Sequence, residues 1–137
     1  MGGGAGKGSH TATGRLGEAI AARYLEARGF AIVARNYRCA EGEIDLVADD
    51  GEYLVFVEVK TRSRDDGFDP SLAVNAAKQD RVRRVGAHFL AAHPQWERQP
   101  RFDVLAVVLQ PMDAGKTPPA RADDPEAHTV EHYVNAF

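Results

Sequence analysis

The chain has 137 residues, with 44% hydrophobic residues, 27% charged residues and a formal net charge of −3 at pH 7. These values are ordinary for a soluble protein and suit one domain built around a hydrophobic core. No apolar run approaches the about 20 residues that cross a bilayer, and no apolar N-terminal stretch suggests a signal peptide. The single cysteine, Cys39, excludes an internal disulfide and a cysteine-rich zinc site. We therefore expect no membrane partner and a cytoplasmic location.

The N-terminal half is predicted to form one helix and three strands. Residues 1–12 are rich in glycine, which favours a disordered tail. Apolar residues at three- and four-residue spacing then predict a helix over 14–28, with Leu16, Ile20 and Tyr24 on its inner face and Gly29 as its stop. Alternating apolar residues predict strands at 30–38, 43–48 and 52–60.

The second helix is predicted to begin after Asn75 and to end near Ala92, following a polar loop over 61–72. Its inner stripe is apolar and its outer surface is basic. The predicted inner residues are Val82, Val85, Gly86 and Phe89, and the predicted outer residues are Lys78, Arg81 and Arg84.

The C-terminal part adds a strand at 101–109 and an edge strand at 129–134. Between them, residues 110–127 hold four prolines and are predicted to form a flexible loop. The element order α-β-β-β-α-β-β predicts an α/β fold with a mixed central sheet flanked by helices.

The hairpin formed by the second and third strands carries the polar residues of interest. Asp50-Gly51 lies between two alternating runs and predicts a two-residue turn. Such a turn pairs residues whose numbers add to 101, so Asp45 faces Phe56 and Glu43 repels Glu58 across the strands. Alternation places Glu43, Asp45, Glu58 and Lys60 on one face, and Ile44, Leu46, Val55, Val57 and Val59 on the other.

Asp45 and Glu58 are therefore predicted to share a divalent cation. Buried carboxylates raise each other's pKa, and Mg²⁺ (or Mn²⁺) would compensate their charge. The Val59 carbonyl could add a ligand, and Glu18, on the preceding helix, could reach the same end of the sheet. Lys60 would stabilise phosphate charge or orient an attacking water. The alternative is a purely structural ion pair, with Lys60 between Glu58 and Asp45.

The basic residues that follow the hairpin suit a polyanionic substrate. One interpretation gives these residues no binding role and places them in a polar loop and on a solvated helix face. Their functional interpretation is a nucleic-acid surface formed by Arg62, Arg64, Lys78, Arg81 and Arg84.

The spacing of Glu18, Asp45 and Glu58-x-Lys60 resembles that of the PD-(D/E)XK nuclease superfamily. Seven ordered pieces of the chain match a more specific pattern: Gly14-x-x-Gly17-Glu18, Asn36-Tyr37-Arg38-Cys39, Gly42-Glu43-Ile44-Asp45-Leu46, Val55-Phe56-Val57-Glu58-Val59-Lys60-Thr61-Arg62, Lys78-Gln79, Arg101-Phe102-Asp103 and Asn135-Ala136-Phe137. Through these pieces the chain resembles the YraN family of bacterial proteins, described as endonuclease-like or similar to archaeal Holliday-junction resolvases. Ala40-Glu41 departs from that pattern, since we expect a basic residue after the cysteine.

The resemblance implies a restriction-endonuclease-like αβββαβ core in one domain over 13–137. It also implies Mg²⁺-dependent hydrolysis of DNA rather than RNA, with Glu18, Asp45, Glu58 and Lys60 as the catalytic set. The likeness to resolvases points to branched DNA and a homodimer.

Two further functions stay open at this point. The chain could be a non-catalytic nucleic-acid-binding or adaptor module with the same fold, or an interaction protein whose polar end is an ion-pair network. The roles of Glu43 and Asp103 are also open. Asp103 could serve the site, or could pair with Arg101 or a helix terminus.

Overall fold

The computed structural model describes residues 12–63, 76–109 and 128–137. The predicted order of helices and strands is confirmed. It runs α1 (Ala12–Ala27), β1 (Ala31–Cys39), β2 (Gly42–Asp49), β3 (Tyr53–Ser63), α2 (Ala76–Ala92), β4 (Gln99–Leu109) and β5 (His128–Tyr133).

Most predicted boundaries differ from the structure by one or two residues. Ala12, predicted in the N-terminal tail, is the first residue of α1. Residues 61–63, predicted in a loop, extend β3, because the parallel pairing with β4 continues to Ser63↔Leu109. The rest of the predicted tail, Arg64, Asn75 and the predicted loop at 110–127 lie outside the described residues.

The strands form one mixed sheet in the order β1-β2-β3-β4-β5. β3 and β4 are parallel, and the other neighbouring pairs are antiparallel. Parallel neighbours need a crossover, and α2 lies in the connection between them. The predicted α/β architecture, with helices flanking a mixed sheet, is confirmed, as is the edge position of β5. Over the described residues, neither helix is long and apolar enough to span a membrane.

The sheet is buried on both faces, each under one helix. α1 covers a cluster that contains Ile20, Leu25, Leu46 and Val57. α2 covers a second cluster that contains Val82, Val85, Phe89 and Phe56. The inner stripe predicted for α2 is confirmed, whereas α1 turns Ala21, Ala22 and Leu25 inward in addition to Ile20.

The end of α1 follows the prediction. Gly29 has a φ of 92°, the left-handed conformation that glycine adopts without a Cβ penalty. The amide of Phe30 donates to the Leu25 carbonyl, and the amide of Gly29 donates to the Glu26 carbonyl. This pair of bonds is a Schellman motif, and it turns the chain directly into β1.

The register of the β2–β3 hairpin differs from the prediction. The observed pairs run from Asp49↔Leu54 to Leu46↔Val57, so paired numbers add to 103 rather than 101. The turn is centred on Gly51 and Glu52, not on Asp50-Gly51. Asp50 lies before the turn, because its side chain accepts hydrogen bonds from the backbone amides of Glu52 and Tyr53. The predicted repulsion between Glu43 and Glu58 as directly opposite residues is therefore wrong.

Ile44 also lies on the face opposite to the predicted one. It packs in the α2 cluster, while Leu46, two residues further on, packs in the α1 cluster. Strict alternation would place both on one face. The strand therefore changes face at the intervening residue, Asp45.

Candidate functional site

The candidate site begins where β2 and β3 stop pairing. The last regular pair is Leu46↔Val57. Beyond it, the Val59 amide donates a 2.7 Å hydrogen bond to Oδ2 of Asp45. In a regular antiparallel ladder, the Val59 amide would donate to a backbone carbonyl of the neighbouring strand. Here it donates to a side-chain carboxylate instead. This places Asp45 beside the end of β3 that carries Glu58 and Lys60.

Asp45 is buried in a negative environment. Only 7% of the residue is exposed, and the same fraction holds for Glu58. Burial raises the pKa of Asp45 well above its usual value, and the charges of Glu58, Glu18 and Glu43 raise it further. The Val59 amide acts in the opposite direction but does not outweigh them. A positive charge near Asp45 would therefore stabilise its ionised form.

Glu58 already has two cationic partners. Nζ of Lys60 lies 3.3 Å from Oε2 of Glu58, and Nζ of Lys78 lies 3.2 Å from the same oxygen. Lys60 shares its strand face with Glu58, as predicted, whereas Lys78 was predicted on the outer surface of α2. Lys78 belongs to the first turn of α2, and that end of the helix lies over the site.

These residues line an open cleft of about 790 Å³. Thr13, Gly14 and Glu18 contribute from the start of α1, and Lys78 and Arg81 contribute from α2. Asp45, Glu58, Lys60 and Arg62 line the end of the sheet between the two helices. The structure therefore brings Glu18 to the predicted location, beside Asp45.

Glu18 reaches the cleft because α1 packs unusually close to β3. A methyl group built on Gly17 would overlap the side chain of Thr61. Glycine thus permits the close approach, and the next residue, Glu18, is carried to the cleft. In the sequence, Gly17 is marked only as part of a motif, but a glycine inside a predicted helix is itself a signal of close packing.

Glu43 has a local partner on the neighbouring strand. It pairs with Arg38 in the β1–β2 register, and Oε1 of Glu43 lies 3.4 Å from Nε of Arg38. Both residues line the cleft. Glu43 therefore belongs to the rim of the site, and its charge contributes to the raised pKa of Asp45.

The predicted basic surface is divided by the structure. Arg62, Lys78 and Arg81 line the cleft. Arg84 is exposed further along α2, and its Nε lies 3.0 Å from Oε1 of Glu41. Glu41, the acidic residue that departs from the expected family pattern, thus neutralises Arg84.

Asp103 lies outside the cleft and has a complete set of partners. Its carboxylate is fully buried. It accepts hydrogen bonds from the Arg101 guanidinium and from the backbone amide of Asn135, and it lies 2.7 Å from Nε2 of His132. Burial alone would raise the pKa of Asp103, but the bonds with His132 and Arg101 hold it below its usual value. The predicted pairing with Arg101 is confirmed, and the network ties β4 to the C-terminal segment.

The donor set suits a hard cation with few protein ligands. Among residues 12–63, 76–109 and 128–137, no three His, Cys, Asp or Glu side chains form a ready metal cluster. Asp45 and Glu58, the two buried carboxylates that line the cleft, could hold a cation whose shell is completed by water and substrate oxygens. Mg²⁺ favours this arrangement, whereas Ca²⁺ and Zn²⁺ favour fuller protein cages.

Comparison with known proteins identifies relatives over most of the chain. The model of a family described as "Uncharacterised protein family UPF0102" matches residues 17–107. A UPF0102 protein of Frankia casuarinae is 53% identical over 126 residues, which cover 92% of this chain and 96% of that protein. A UPF0102 protein of Beutenbergia cavernae is 53% identical over 97 residues, covering 71% and 82% respectively. A UPF0102 protein of Geotalea daltonii is 40% identical over 134 residues, covering 98% and 95%.

Proposed function

We propose that this protein, which belongs to the uncharacterised protein family UPF0102 (the YraN family), is a Mg²⁺-dependent nuclease that hydrolyses DNA phosphodiesters. The observation that carries the proposal is the meeting of Asp45, Glu58 and Lys60 at the open end of the β2–β3 hairpin. The same combination of two acids and a lysine underlies the resemblance to the PD-(D/E)XK superfamily.

Asp45 and Glu58 would hold the cation. When bound, Mg²⁺ would neutralise charge on a phosphodiester and lower the pKa of a water beside it. Glu18 lines the same cleft and would assist through a water. Binding of the cation would relieve the electrostatic cost of ionised Asp45.

Binding of the cation would also change the interactions of Lys60 and Lys78. Both ammonium groups lie against Oε2 of Glu58. Once a cation compensates Glu58, these groups are available to a phosphate at the mouth of the cleft. Lys60, on the strand beside the acids, would orient the attacking water or stabilise phosphate charge. Lys78, Arg81 and Arg62 would hold the flanking phosphates.

The reaction would be an in-line hydrolysis. A water oxygen forms a bond to phosphorus while the opposite phosphorus–oxygen ester bond breaks. The water loses one proton, and the leaving oxygen gains one. The described part of the chain offers no helix with the features of a base-reading element, so backbone contacts and DNA shape would dominate recognition. Branched DNA is the substrate to test first.

A second candidate is a non-catalytic nucleic-acid-binding module with the same fold. The observation in its favour is that two lysines already compensate Glu58 without a metal. Such a module would bind DNA through the same cleft and would need no cation.

One experiment separates the two candidates. Purified protein is incubated with linear, flap, fork and four-way DNA, with Mg²⁺, Mn²⁺ or EDTA. Glu58→Gln removes a proposed ligand, and Glu97→Gln, an exposed residue before β4, is the matched control. The nuclease proposal expects metal-dependent cleavage that only Glu58→Gln abolishes. Metal-independent binding without cleavage would favour the second candidate, and sedimentation of the same samples tests the proposed homodimer.

A further inference from the structure

The strand next to Asp45, β1, has an unusual backbone conformation directly across from it. The β1–β2 pairing proceeds from Arg35↔Leu46 to Tyr37↔Ile44, and Asn36 and Asp45 are the residues between these pairs. Asn36 has a φ of 52°, in the left-handed region. Left-handed backbone within a strand is unusual for any residue with a side chain.

Both strands change face at this point. On β2, Leu46 packs under α1 and Ile44 under α2; on β1, Ala34 and Tyr37 both pack under α2 although they lie three residues apart. In regular strands, Ile44 and Leu46 would share a face because they lie two residues apart. The left-handed residue on β1 provides the backbone rotation that permits this change.

The consequence falls on Asp45. Its carboxylate bonds laterally to the Val59 amide of β3. A residue at the change of face can direct its side chain along the sheet toward the neighbouring strand. In an unbroken strand, the side chain would stand perpendicular to the sheet, and the Val59 amide would be left to a backbone partner.

The side-chain amide of Asn36 does not account for its presence. Its Oδ1 is buried and has no hydrogen-bond partner among the described residues. A buried, unpaired acceptor is unfavourable. Asparagine is, however, the non-glycine residue that tolerates left-handed backbone best, together with aspartate.

We infer that Asn36 is a positioning residue for the candidate metal site, and that its left-handed conformation directs the Asp45 carboxylate onto β3. The part of this inference that concerns metal affinity rests on the proposed function. The part that concerns the Asp45–Val59 hydrogen bond does not.

Three variants test the inference. Asn36→Ala disfavours the left-handed conformation, and Asn36→Gly retains it while removing the amide. The matched control is Asn135→Ala, because Asn135 also has a left-handed φ, 54°, but lies near the C-terminus, outside the residues that line the cleft. Hydrogen exchange of the Val59 amide is measured by NMR without metal, and Mn²⁺ affinity is measured by calorimetry well below each melting temperature.

The expected result is specific to Asn36→Ala. Its Val59 amide exchanges at least about tenfold faster, and its Mn²⁺ affinity falls about 10- to 100-fold, the usual range for loss of a group that orients a ligand. Asn36→Gly keeps both properties. Asn135→Ala melts at a lower temperature but keeps the wild-type exchange rate of the Val59 amide and the wild-type Mn²⁺ affinity.

Three outcomes would overturn the inference. Asn36→Ala could lose melting temperature only, as the control does, which would mean that Asn36 is merely structural. Asn36→Gly could lose both properties, which would assign the effect to the amide instead; this variant decides the matter if Asn36→Ala does not fold. The Val59 amide could exchange equally in all four proteins. If the wild-type protein binds no Mn²⁺, the proposed function fails, while the Val59 exchange still decides the role of Asn36.

Discussion

The Lys78 ammonium lies 3.2 Å from the Glu58 carboxylate and connects the first turn of α2 to the end of β3. Lys60 approaches the same oxygen at 3.3 Å from within β3. The Glu58 side chain is only 9% exposed. Two ammonium groups thus compensate one buried carboxylate, and the loss of either lysine leaves the other in place.

Replacement of these lysines separates a structural ion pair from a catalytic one. Lys60→Met alone should lower the free energy of unfolding by about 1 kcal/mol or less, because Lys78 remains on Glu58. Lys60→Met/Lys78→Met should lower it by about 3–5 kcal/mol, because Glu58 is left buried and unpaired. Mg²⁺ should restore much of this loss. Urea unfolding with and without Mg²⁺ measures each value.

DNA cleavage by the single variants provides the second readout. Lys60→Met should reduce hydrolysis by about 10²- to 10³-fold while the Mg²⁺-loaded protein stays folded. Lys78→Met should weaken DNA binding more than it slows cleavage of bound DNA. A Lys60→Met protein that melts early with Mg²⁺ present, and a wild type that never cuts DNA, would establish the structural ion pair.

Asp45→Asn should stabilise the metal-free protein. Burial and neighbouring carboxylates raise the pKa of Asp45, so its ionisation costs stability. The folded pKa exceeds the unfolded value of about 3.9, and the advantage of the variant should therefore be full above the folded pKa and vanish below about pH 3.9. Melting temperatures across this pH range measure it.

The same Asp45→Asn variant should lose metal affinity. We expect calorimetric Mg²⁺ or Mn²⁺ affinity to fall by about tenfold or more, with no further rise of melting temperature on adding metal. Asp49→Asn, at the turn end of β2, is the matched control. Equal metal affinity in wild type and Asp45→Asn would remove Asp45 from the proposed site.

The salt dependence of DNA binding tests the basic surface. Arg81 lines the cleft, whereas Arg84 is neutralised by Glu41. Arg81→Ala should reduce the slope of log affinity against log salt by about 1, because one fewer phosphate contact releases counterions. Arg84→Ala should change the slope less. Triple replacement of Lys78, Arg81 and Arg84 should flatten it further, and an unchanged slope would indicate a solvated helix face.

Asp103 should control acid stability without affecting the cleft. Hydrogen bonds with His132 and Arg101 lower the pKa of Asp103, so its contribution is present above the unfolded value of about 3.9 and is lost as pH falls through the folded pKa. Asp103→Asn should cost about 1.5–3 kcal/mol at neutral pH, because the buried charge that accepts bonds from Arg101 and the Asn135 backbone amide is lost, while Arg101 keeps Asp50. The difference from wild type should narrow below about pH 4.

Urea unfolding from neutral to acid pH checks the Asp103 prediction. Asp80→Asn breaks an exposed pair with Arg83 and is the matched control, with an expected cost near zero. Folded Asp103→Asn should keep the metal and DNA affinity of the wild type. A pH-independent stability difference would contradict the lowered pKa.

Gly17→Ala should displace the start of α1 from β3. At an open helix position this change would stabilise by about 0.5–1 kcal/mol. Here the new methyl group overlaps Thr61, and overpacking typically costs about 1–3 kcal/mol. Thr61→Ala should restore part of the loss, as a double-mutant cycle would reveal. A Gly17→Ala protein more stable than wild type would mean that α1 does not pack this closely.

The sequence by itself determined the helices and the strands, and it singled out the residues of the candidate site. These follow from local rules: apolar periodicity separates helices from strands, and Gly29 stops α1 because it accepts a positive φ. Asp45, Glu58 and Lys60 are identified as candidate site residues only because side chains alternate between the two faces of a hairpin. A register error of two residues preserves that alternation, so Glu58 and Lys60 keep their predicted common face, whereas Asp45 lies where β2 changes face.

Only the tertiary structure decided how these residues are used. The turn lies one residue later than predicted because the Asp49 and Asp50 side chains accept hydrogen bonds from the amides of Gly51 and Glu52. Residue type alone does not decide which aspartate flanks the turn. Lys78 turns inward because α2 packs with its first turn over Glu58. Asp45 points along the sheet because Asn36, on another strand, breaks the alternation. Each result depends on packing between segments distant in sequence, where burial and charge outweigh local preference.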